Sequence, residues 1–327
     1  MNKRTAIYLG IVGALTAAPV ALSQNQLEEV VVTATKRTVA LEDLAGAANV
    51  IGGDALRPGG IENVRDMVVD IPSLSIGDQF GFARVFMRGI GMTSIDIGGE
   101  GAVSFLQDGA IVPRPAAQLM GMFDLEQVEV LRGPQGTLYG RGATAGAINM
   151  VTRKPGDELS GYANVTVGDY DLFSFDGAVD LPMTSDFSMR LATKLEQRDG
   201  YGENKFSGDD VDDRDAQAYR VTLAYDPDGP WDATLSGQYY KEDDNNYAFH
   251  YFGPSAGTSL PVPLAVPILG GRTVDMVGGD IYDINSDQEA INERDGYLVN
   301  LLLNFDLTDE MSLRSVTSFQ NLDRFLR

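Results

Sequence analysis

The sequence predicts two structural parts: a compact α+β domain over residues 41–155, followed over residues 156–327 by the first strands of an antiparallel transmembrane β-barrel. Three observations support this prediction. The chain starts with an export signal, its second half alternates between apolar and polar residues, and after the signal no stretch approaches the roughly 18 apolar residues of a membrane-spanning helix. An exported chain without such a helix is either soluble in the periplasm or a barrel in the outer membrane.

Composition argues against several classes of function. Lys and Arg total 25 and Asp and Glu total 47, which gives a net charge of −22 and argues against binding to nucleic acid. The chain has no cysteine and one histidine, His250, so it offers no thiolate site and no two-histidine metal or haem site. We expect no metal site, no catalytic residues and no resident cofactor.

The first 23 residues have the features of a secretory signal peptide. Lys3 and Arg4 form a short basic start, a mostly apolar run follows, and small residues precede a cleavage site between Ser23 and Gln24. The alternative is a membrane anchor, which is disfavoured because the run is short, contains a proline and lacks a basic flank on its far side. We therefore expect residues 1–23 to be removed on export.

From about residue 161 the sequence alternates with a period of two, as expected of strands that face lipid on one side. In the clearest segment, Tyr297 and Val299 lie on one face and Leu298 and Asn300 on the other. Seven strands are predicted, at 162–168, 172–181, 187–196, 217–226, 231–240, 297–307 and 311–319. Such lengths are typical of membrane-spanning β-strands.

The connections favour an outer-membrane barrel over a soluble β-sandwich, which would also alternate. Short and long connections alternate along the chain. The short turns lie at 182–186, 226–230 and 308–310, and the long polar loops at about 198–215 and 243–294. Outer-membrane barrels have short turns on the periplasmic side and long loops outside.

Aromatic residues near the strand ends are predicted to form an interfacial girdle. Their amphipathic rings suit the boundary between lipid and water. These residues are Tyr162, Phe187, Tyr225, Trp231 and Tyr240.

The barrel predicted here is incomplete. The chain ends at Arg327 with no sign of a closing strand. An open edge in lipid would leave backbone groups without hydrogen-bond partners. We therefore expect the natural protein to be far longer, and this chain to be its N-terminal part.

Two acidic clusters in the predicted long loops have two interpretations. The clusters are Asp209, Asp210, Asp212 and Asp213, and Glu242, Asp243 and Asp244. They could supply oxygen ligands to calcium, but solvated loop tips are the favoured interpretation. His250 lies among aromatic residues of the second loop, where loop packing is favoured over contact with a ligand.

Residues 125–155 have the sequence LEQVEVLRGPQGTLYGRGATAGAINMVTRKP, which resembles the plug-domain signature of TonB-dependent outer-membrane receptors. Three earlier segments are similar to the same plug in order and spacing: Ile71–Leu74, Met87–Ile90 and Gln107–Gly109. The resemblance implies a plug over residues 41–155, packed inside a barrel of the 22-stranded type when complete.

The plug motifs are rich in glycine. The glycines concerned are Gly89, Gly133, Gly136, Gly140, Gly142 and Gly146. We expect a sharp turn at Gly133 and Gly136, and close backbone packing at the last three. Gly140, Gly142 and Ala145 also match the G-x-G-x-x-A pattern of dinucleotide-binding proteins. That pattern should open a helix, whereas the following residues predict a strand, so nucleotide binding is disfavoured.

Arg88 and Arg132 fall at positions where the family plug presents arginines to barrel glutamates. An arginine suits a bidentate ion pair with a carboxylate. The alternative is two ordinary surface arginines. In the family those glutamates come late in the barrel, so we expect the partners to lie beyond this chain.

The segment Glu29-Val30-Val31-Val32-Thr33-Ala34 resembles the TonB box, within a linker assigned to residues 24–40. A β-branched segment of this kind can add as a strand to the exposed sheet edge of a partner. The alternative is a strand of the plug itself. The resemblance implies TonB, of the inner-membrane energy-transducing complex, as the partner.

The resemblance implies active transport of a scarce small-molecule ligand by a barrel embedded in outer-membrane lipid. A ferric siderophore is the implied cargo, with iron as cargo and not as cofactor; cobalamin, haem and oligosaccharide are the alternatives. A passive porin is disfavoured because it would have neither plug nor box. A signalling transducer would carry a further domain before the box, and an enzyme would need a catalytic constellation.

Overall fold

The structure, a computed structural model, describes residues 31–34, 36, 39–44, 46–56, 64–79, 81–92, 99, 101–119, 122–245 and 281–327. The predicted signal peptide with Ser23 and Gln24, the box residues Glu29 and Val30, and His250 lie outside these residues. Within the described ranges, no helix has both the length and the apolar character needed to span a membrane.

The N-terminal part is built from short strands and single-turn helices. The strands are β1 (Val31–Val32), β2 (Val39–Ala40), β3 (Ala47–Gly52), β4 (Leu74–Gln79), β5 (Phe82–Met87), β6 (Ile90–Gly91), β7 (Val103–Gln107), β8 (Ala110–Ile111), β9 (Leu125–Arg132) and β10 (Gly146–Thr152). The helices are α1 (Gly53–Leu56) and α2 (Gly136–Tyr139), with 3-10 turns at Leu41–Asp43, Asp66–Val69, Ala117–Leu119 and Gly140–Ala143.

A mixed five-stranded sheet, in the order β3-β9-β10-β7-β8, forms the centre of this part. Strand β10 runs parallel to β7 and antiparallel to β9, so Ile148 lies opposite Phe105 on one side and Val130 on the other. All three side chains are buried. Strands that are covered on both faces are apolar almost throughout, which explains why β7 and β10 show little alternation.

The glycine-rich segment after β9 forms α2 and the 3-10 turn Gly140–Ala143, and then leads into strand β10. A dinucleotide-binding pattern would require a helix where β10 lies. The strand predicted after these glycines is therefore present.

The six plug glycines do not share one structural role. A Cβ at Gly146 would lie 2.3 Å from the carbonyl oxygen of Leu131 and 2.3 Å from the sulfur of Met87. At Gly142 the nearest atom would be 3.5 Å away, an ordinary contact, and at Gly140 nothing lies within 4 Å. The expected close packing is therefore present at Gly146, but it is wrong for Gly140 and Gly142.

The other plug glycines lie in turns or in open space. Gly89, Gly133 and Gly140 have φ values of +79°, +116° and +73°, a region that favours glycine. The sharp turn expected at Gly133 is therefore present. Gly136 instead begins α2, and a Cβ there would have no neighbour within 4 Å.

Gly146→Ala is expected to lower the free energy of unfolding by about 1–3 kcal/mol, because the added methyl must displace packed backbone. Gly136→Ala is the matched control, since its methyl enters open space in a helix and should be neutral or stabilising by up to about 1 kcal/mol. Urea unfolding in detergent micelles measures both. Equal unfolding midpoints for the two variants would contradict the packing argument.

The C-terminal part is an antiparallel sheet of seven long strands, each paired with the next of the sheet. Its first three strands are β11 (Ser160–Val167), β12 (Phe173–Pro182) and β13 (Phe187–Arg198). A separate hairpin follows, formed by β14 (Gly202–Glu203) and β15 (Asp210–Val211). The sheet continues with β16 (Arg214–Tyr225), β17 (Trp231–Asp244), β18 (Asn292–Thr308) and β19 (Met311–Leu326). These are the seven predicted strands, with shifted bounds.

The two faces of this sheet differ as the alternation predicts. On β18, Leu298 is buried, whereas Tyr297 on the other face is 43% exposed. The buried face lies against the N-terminal part, where the Gln107 amide of β7 donates to Gln238 Oε1 of β17 at 3.1 Å. The small domain therefore covers the inner face of the sheet.

Two of the five residues predicted for the aromatic girdle face inward instead. Tyr240 is buried, and its hydroxyl donates to the carboxylate of Glu242. The hydroxyl of Tyr162 lies 3.3 Å from the Asp124 carboxylate of the small domain. A position near a strand end therefore does not by itself place an aromatic residue in the girdle, because the parity of the residue along the strand decides which face it occupies.

An outer aromatic cluster does occur at one end of the sheet. Trp231 is 40% exposed, and its ring lies 4.8 Å from that of Tyr225 and 6.4 Å from that of Phe305. Rings of this kind are typical of the lipid–water boundary.

The predicted long loops need one correction. Strand β17 continues to Asp244 and β18 begins at Asn292, so Glu242 and Asp244 are buried strand residues and not solvated loop tips. In the part of the chain that the structure describes, no group of three or more Asp, Glu, His or Cys could hold a metal ion.

Candidate functional site

The N-terminal segment, defined here as residues 31–34, lies docked on the five-stranded sheet. Its strand β1 pairs antiparallel with β2, with Val32 opposite Val39. Val32 and Ala34 are 0% exposed and belong to the same buried cluster as Leu131 of β9. The predicted box therefore makes both strand pairing and apolar contacts in this structure.

A single carboxylate, that of Glu129 on β9, binds the backbone of this segment. Its Oε1 accepts hydrogen bonds from the amide nitrogen of Thr33 at 2.7 Å and from Thr33 Oγ1 at 2.9 Å. Its Oε2 accepts from the amide nitrogen of Ala34 at 2.6 Å. Glu129 is 0% exposed, and a buried carboxylate is tolerated only when its oxygens are hydrogen-bonded.

Two amide side chains hold this carboxylate from the plug side. Gln127 Nε2 donates to Glu129 Oε1 at 2.7 Å and also to the carbonyl oxygen of Val31 at 3.0 Å. Asn149 Nδ2 donates to Glu129 Oε2 at 3.0 Å, while its Oδ1 accepts from the amide of Gly109 at 3.1 Å. The carboxylate thus has donors on two sides, from the segment and from the sheet.

Tyr139 closes the site at the end of α2. Its hydroxyl donates to the carbonyl oxygen of Ala34. Burial, with the negative charge of Glu129 nearby, raises the pKa of Tyr139 to about 12. The hydroxyl is therefore protonated at neutral pH and available as a donor.

The alternation of β9 explains why these groups share a face. Val128 and Val130 are buried in the main apolar cluster of the domain. Gln127 and Glu129 point the other way, because successive side chains of a strand lie on opposite faces. The sequence Gln-Val-Glu-Val thus gives the sheet one apolar face and one polar pair.

A second set of contacts joins the plug to the barrel strands through buried ion pairs. Arg190 of β13 binds Asp124 of the plug in bidentate geometry, with Nη2 to Oδ1 at 2.6 Å and Nε to Oδ2 at 2.8 Å. Its Nη1 binds Asp180 Oδ2 of β12 at 2.6 Å. The side chains of all three residues are at most 7% exposed.

Two further barrel arginines bind plug carbonyl oxygens. Arg220 Nη1 of β16 lies 3.2 Å from the carbonyl oxygens of Phe123 and Asp124, and its guanidinium lies 4.3 Å from the Phe123 ring centre. Arg294 Nη1 of β18 donates to the carbonyl oxygen of Ala116 at 3.0 Å. The plug residues Ala116, Phe123 and Asp124 are therefore held by arginines from three barrel strands.

The acidic pair on β17 is neutralised within the barrel sheet. Glu242 pairs with Arg214 at 2.8 Å and with Arg294 at 3.1 Å, and Asp244 pairs with Arg214 at 3.1 Å. The Asn292 amide donates to both carboxylates. These residues form a structural ion-pair network, which corrects the interpretation of this cluster as a solvated loop.

Arg88, one of the two predicted partners of barrel glutamates, lies near the turn that follows the other, Arg132. A Cβ at Gly133 would be 3.8 Å from Arg88 Nη1, and Arg132 Nε is buried without a hydrogen-bond partner. Among the described residues, neither arginine has an ion pair with a carboxylate. Their pairing with barrel glutamates stays a prediction. The ion pair that is present has the opposite polarity, with the arginine on the barrel and the carboxylate on the plug.

Sequence reasoning missed the two residues that carry these contacts, Glu129 and Arg190. A signal was available for each: Glu129 is a lone charge between Val128 and Val130, and Arg190 has the parity of the buried face of its strand. A charge in an otherwise buried position requires a partner.

The geometry defines a class: an α+β plug that covers the inner face of a seven-stranded antiparallel sheet of the barrel type. The family model of the TonB-dependent Receptor Plug Domain matches residues 40–147. Residues 40–147 therefore form a plug domain of this family, and the chain is similar to the plug and part of the barrel of TonB-dependent outer-membrane receptors.

Individual relatives agree with this assignment. The pesticin receptor of Yersinia pestis is 29% identical over 240 residues, which cover 70% of this chain and 35% of that protein. The vitamin B12 transporter BtuB of Vibrio vulnificus is 23% identical over 69% of this chain and 37% of its own length. The crystal structure of the ferric yersiniabactin uptake receptor FyuA from Yersinia pestis superposes with a TM-score of 0.71 at 20% identity, over 85% of this chain and 41% of FyuA. The chain thus spans little more than a third of the curated relatives named here.

Proposed function

We propose that this chain is the plug-bearing part of a receptor that imports a ferric siderophore across the outer membrane, driven by TonB. One observation carries the proposal. The predicted TonB-binding segment is held on the plug through its backbone groups, by the carboxylate of Glu129 and by pairing with β2. The same backbone groups can instead pair with a partner strand, because strand addition also uses main-chain hydrogen bonds.

The docked and TonB-bound states exclude each other. Strand addition to a partner needs the backbone N–H and C=O groups of the segment. In the docked state the amides of Thr33 and Ala34 are bound by Glu129, and the carbonyl of Val31 is bound by Gln127. TonB binding would therefore require release, which links coupling to a change in the plug.

The names of similar proteins support the cargo. One relative is a pesticin receptor and one similar structure is a ferric yersiniabactin uptake receptor. A vitamin B12 transporter is also similar over most of this chain, which makes cobalamin the second candidate. The plug contacts described above are compatible with either cargo.

Uptake in cells that make the receptor containing this chain tests the proposal. Radiolabelled ferric yersiniabactin is the first probe and radiolabelled cyanocobalamin the second. We expect one probe to accumulate only in cells that have TonB and an intact proton-motive force, while surface binding persists without either. Accumulation that is the same with and without TonB would instead indicate a passive channel.

A further inference from the structure

We propose that Glu129 is the residue that retains the N-terminal segment on the plug, and that loss of its contacts with Thr33 and Ala34 is the step that releases the segment. This assignment rests on the proposed function, because release matters to transport only if the segment binds TonB. It assigns Glu129 as the positioning residue for release of the segment, a step that the fold alone does not explain.

The shape of the segment matches a carboxylate. Thr33 begins a turn, in which the amide of Lys36 donates to the Thr33 carbonyl oxygen at 3.0 Å. The amides of Thr33 and Ala34 both donate to the one carboxylate of Glu129, as in the backbone concavities that bind anions. Glu129 places one oxygen on each amide, at 2.7 Å and 2.6 Å.

The plug side of the site makes release feasible. When the segment leaves, Glu129 keeps the amide donors of Gln127 at 2.7 Å and Asn149 at 3.0 Å. The buried carboxylate is then still hydrogen-bonded, so it does not impose the full penalty of an unpaired buried charge. A reversible contact requires that the retaining carboxylate has hydrogen-bond partners in both the docked and the released state.

Apolar contacts alone would not select this arrangement. Val32 and Ala34 are buried beside Leu131 and Tyr139, but apolar burial is non-directional. Glu129 binds backbone atoms at fixed positions, so it determines which register of the segment is held. It also occupies the same amides that strand addition to TonB would use.

The charge of Glu129 is essential to this role. Among the described residues, each group that hydrogen-bonds to its two oxygens is a donor, from Thr33, Ala34, Gln127 and Asn149. In Glu129→Gln, an NH₂ group replaces one oxygen and meets donors, whichever way the amide is oriented. The variant therefore loses the contacts at one oxygen and the charge at the other.

Cysteine accessibility measures release directly, since the chain has no cysteine of its own. Val32→Cys places a thiol at a position that is 0% exposed while the segment is docked. The probe is a maleimide, applied to outer-membrane fragments that contain the full receptor. We expect Glu129→Gln to raise the labelling rate by about tenfold or more, from the loss of charged hydrogen bonds.

Matched variants identify the cause of any increase. Glu126→Gln makes the same chemical change at an exposed position of the same strand and should leave labelling unchanged. Ile148→Cys, 0% exposed in the core of the plug, should stay unreactive in the Glu129→Gln background. An unchanged rate at Val32→Cys in that background overturns the proposal.

A second pair of variants applies if Glu129→Gln exposes Ile148→Cys, which would mean that the plug unfolds. Thr33→Val removes the hydroxyl that donates to Glu129 Oε1 at 2.9 Å, and Thr33→Ser keeps it. Neither alters the plug sheet. Faster labelling in Thr33→Val than in Thr33→Ser supports the proposal, and equal rates overturn it.

Failure of the proposed function would look different. The labelling assay contains no TonB, whereas binding of the purified periplasmic domain of TonB is measured separately on the same fragments. Faster labelling with no gain in TonB binding keeps Glu129 as the retaining residue and removes the segment as the coupling box.

Discussion

Arg190→Met is expected to lower the free energy of unfolding by about 3–5 kcal/mol, the usual cost of breaking a buried ion pair. The guanidinium lies between Asp124 of the plug and Asp180 of β12, at 2.6 Å from each. Its removal leaves two buried carboxylates without their cation. Methionine keeps an unbranched apolar stem in place of the arginine stem and removes the guanidinium, so most of the loss is electrostatic.

The single tryptophan, Trp231, makes this prediction measurable. It lies in the outer aromatic cluster with Tyr225 and Phe305, so its fluorescence reports the unfolding of the barrel sheet in urea and detergent micelles. Lys241→Met is the control, because Lys241 and its partner Asp243 are 47% and 53% exposed. An exposed pair contributes at most about 1 kcal/mol. If the two variants unfold alike, the plug–barrel ion pair does not hold the domains together.

The barrel strands were predictable because two different surroundings impose a period of two. Lipid on one side and the plug on the other separate exposed Tyr297 from buried Leu298 along β18, as they separate exposed Leu235 from buried Ser236 along β17. The same rule corrects Tyr240, whose position near a strand end was given more weight than its parity. The alternation predicts the end of β17 too early and the start of β18 too late. The residues in between are polar but face inward, and their composition resembles that of a loop.

The plug contacts were less predictable because their partners are distant in sequence. Glu129 binds Thr33, which is 96 residues away, and Arg190 binds Asp124, which is 66 residues away. Periodicity can show that such a charge is buried, but it does not identify the partner. A family signature also carries an expected polarity, plug arginine to barrel glutamate, which the Arg190–Asp124 pair reverses.

Val31→Pro is expected to abolish energised uptake while surface binding of the ligand is kept. Strand addition to TonB uses backbone N–H groups, and proline both removes the donor and fixes φ. Val31→Ala should keep most of the uptake, because it changes only the side chain. Parallel loss of binding and uptake would instead indicate a folding defect of the plug.

The structure adds a second readout that separates release from coupling. Residue 31 lies in β1, opposite Ala40 of β2, so the proline also weakens the docked state. Val31→Pro should therefore speed maleimide labelling at Val32→Cys and still prevent transport, giving a segment that is released but cannot pair with TonB. Glu129→Gln should give released segments that do pair. If the proline variant transports normally, backbone pairing by residues 31–34 is not the coupling step, however readily the segment leaves the plug.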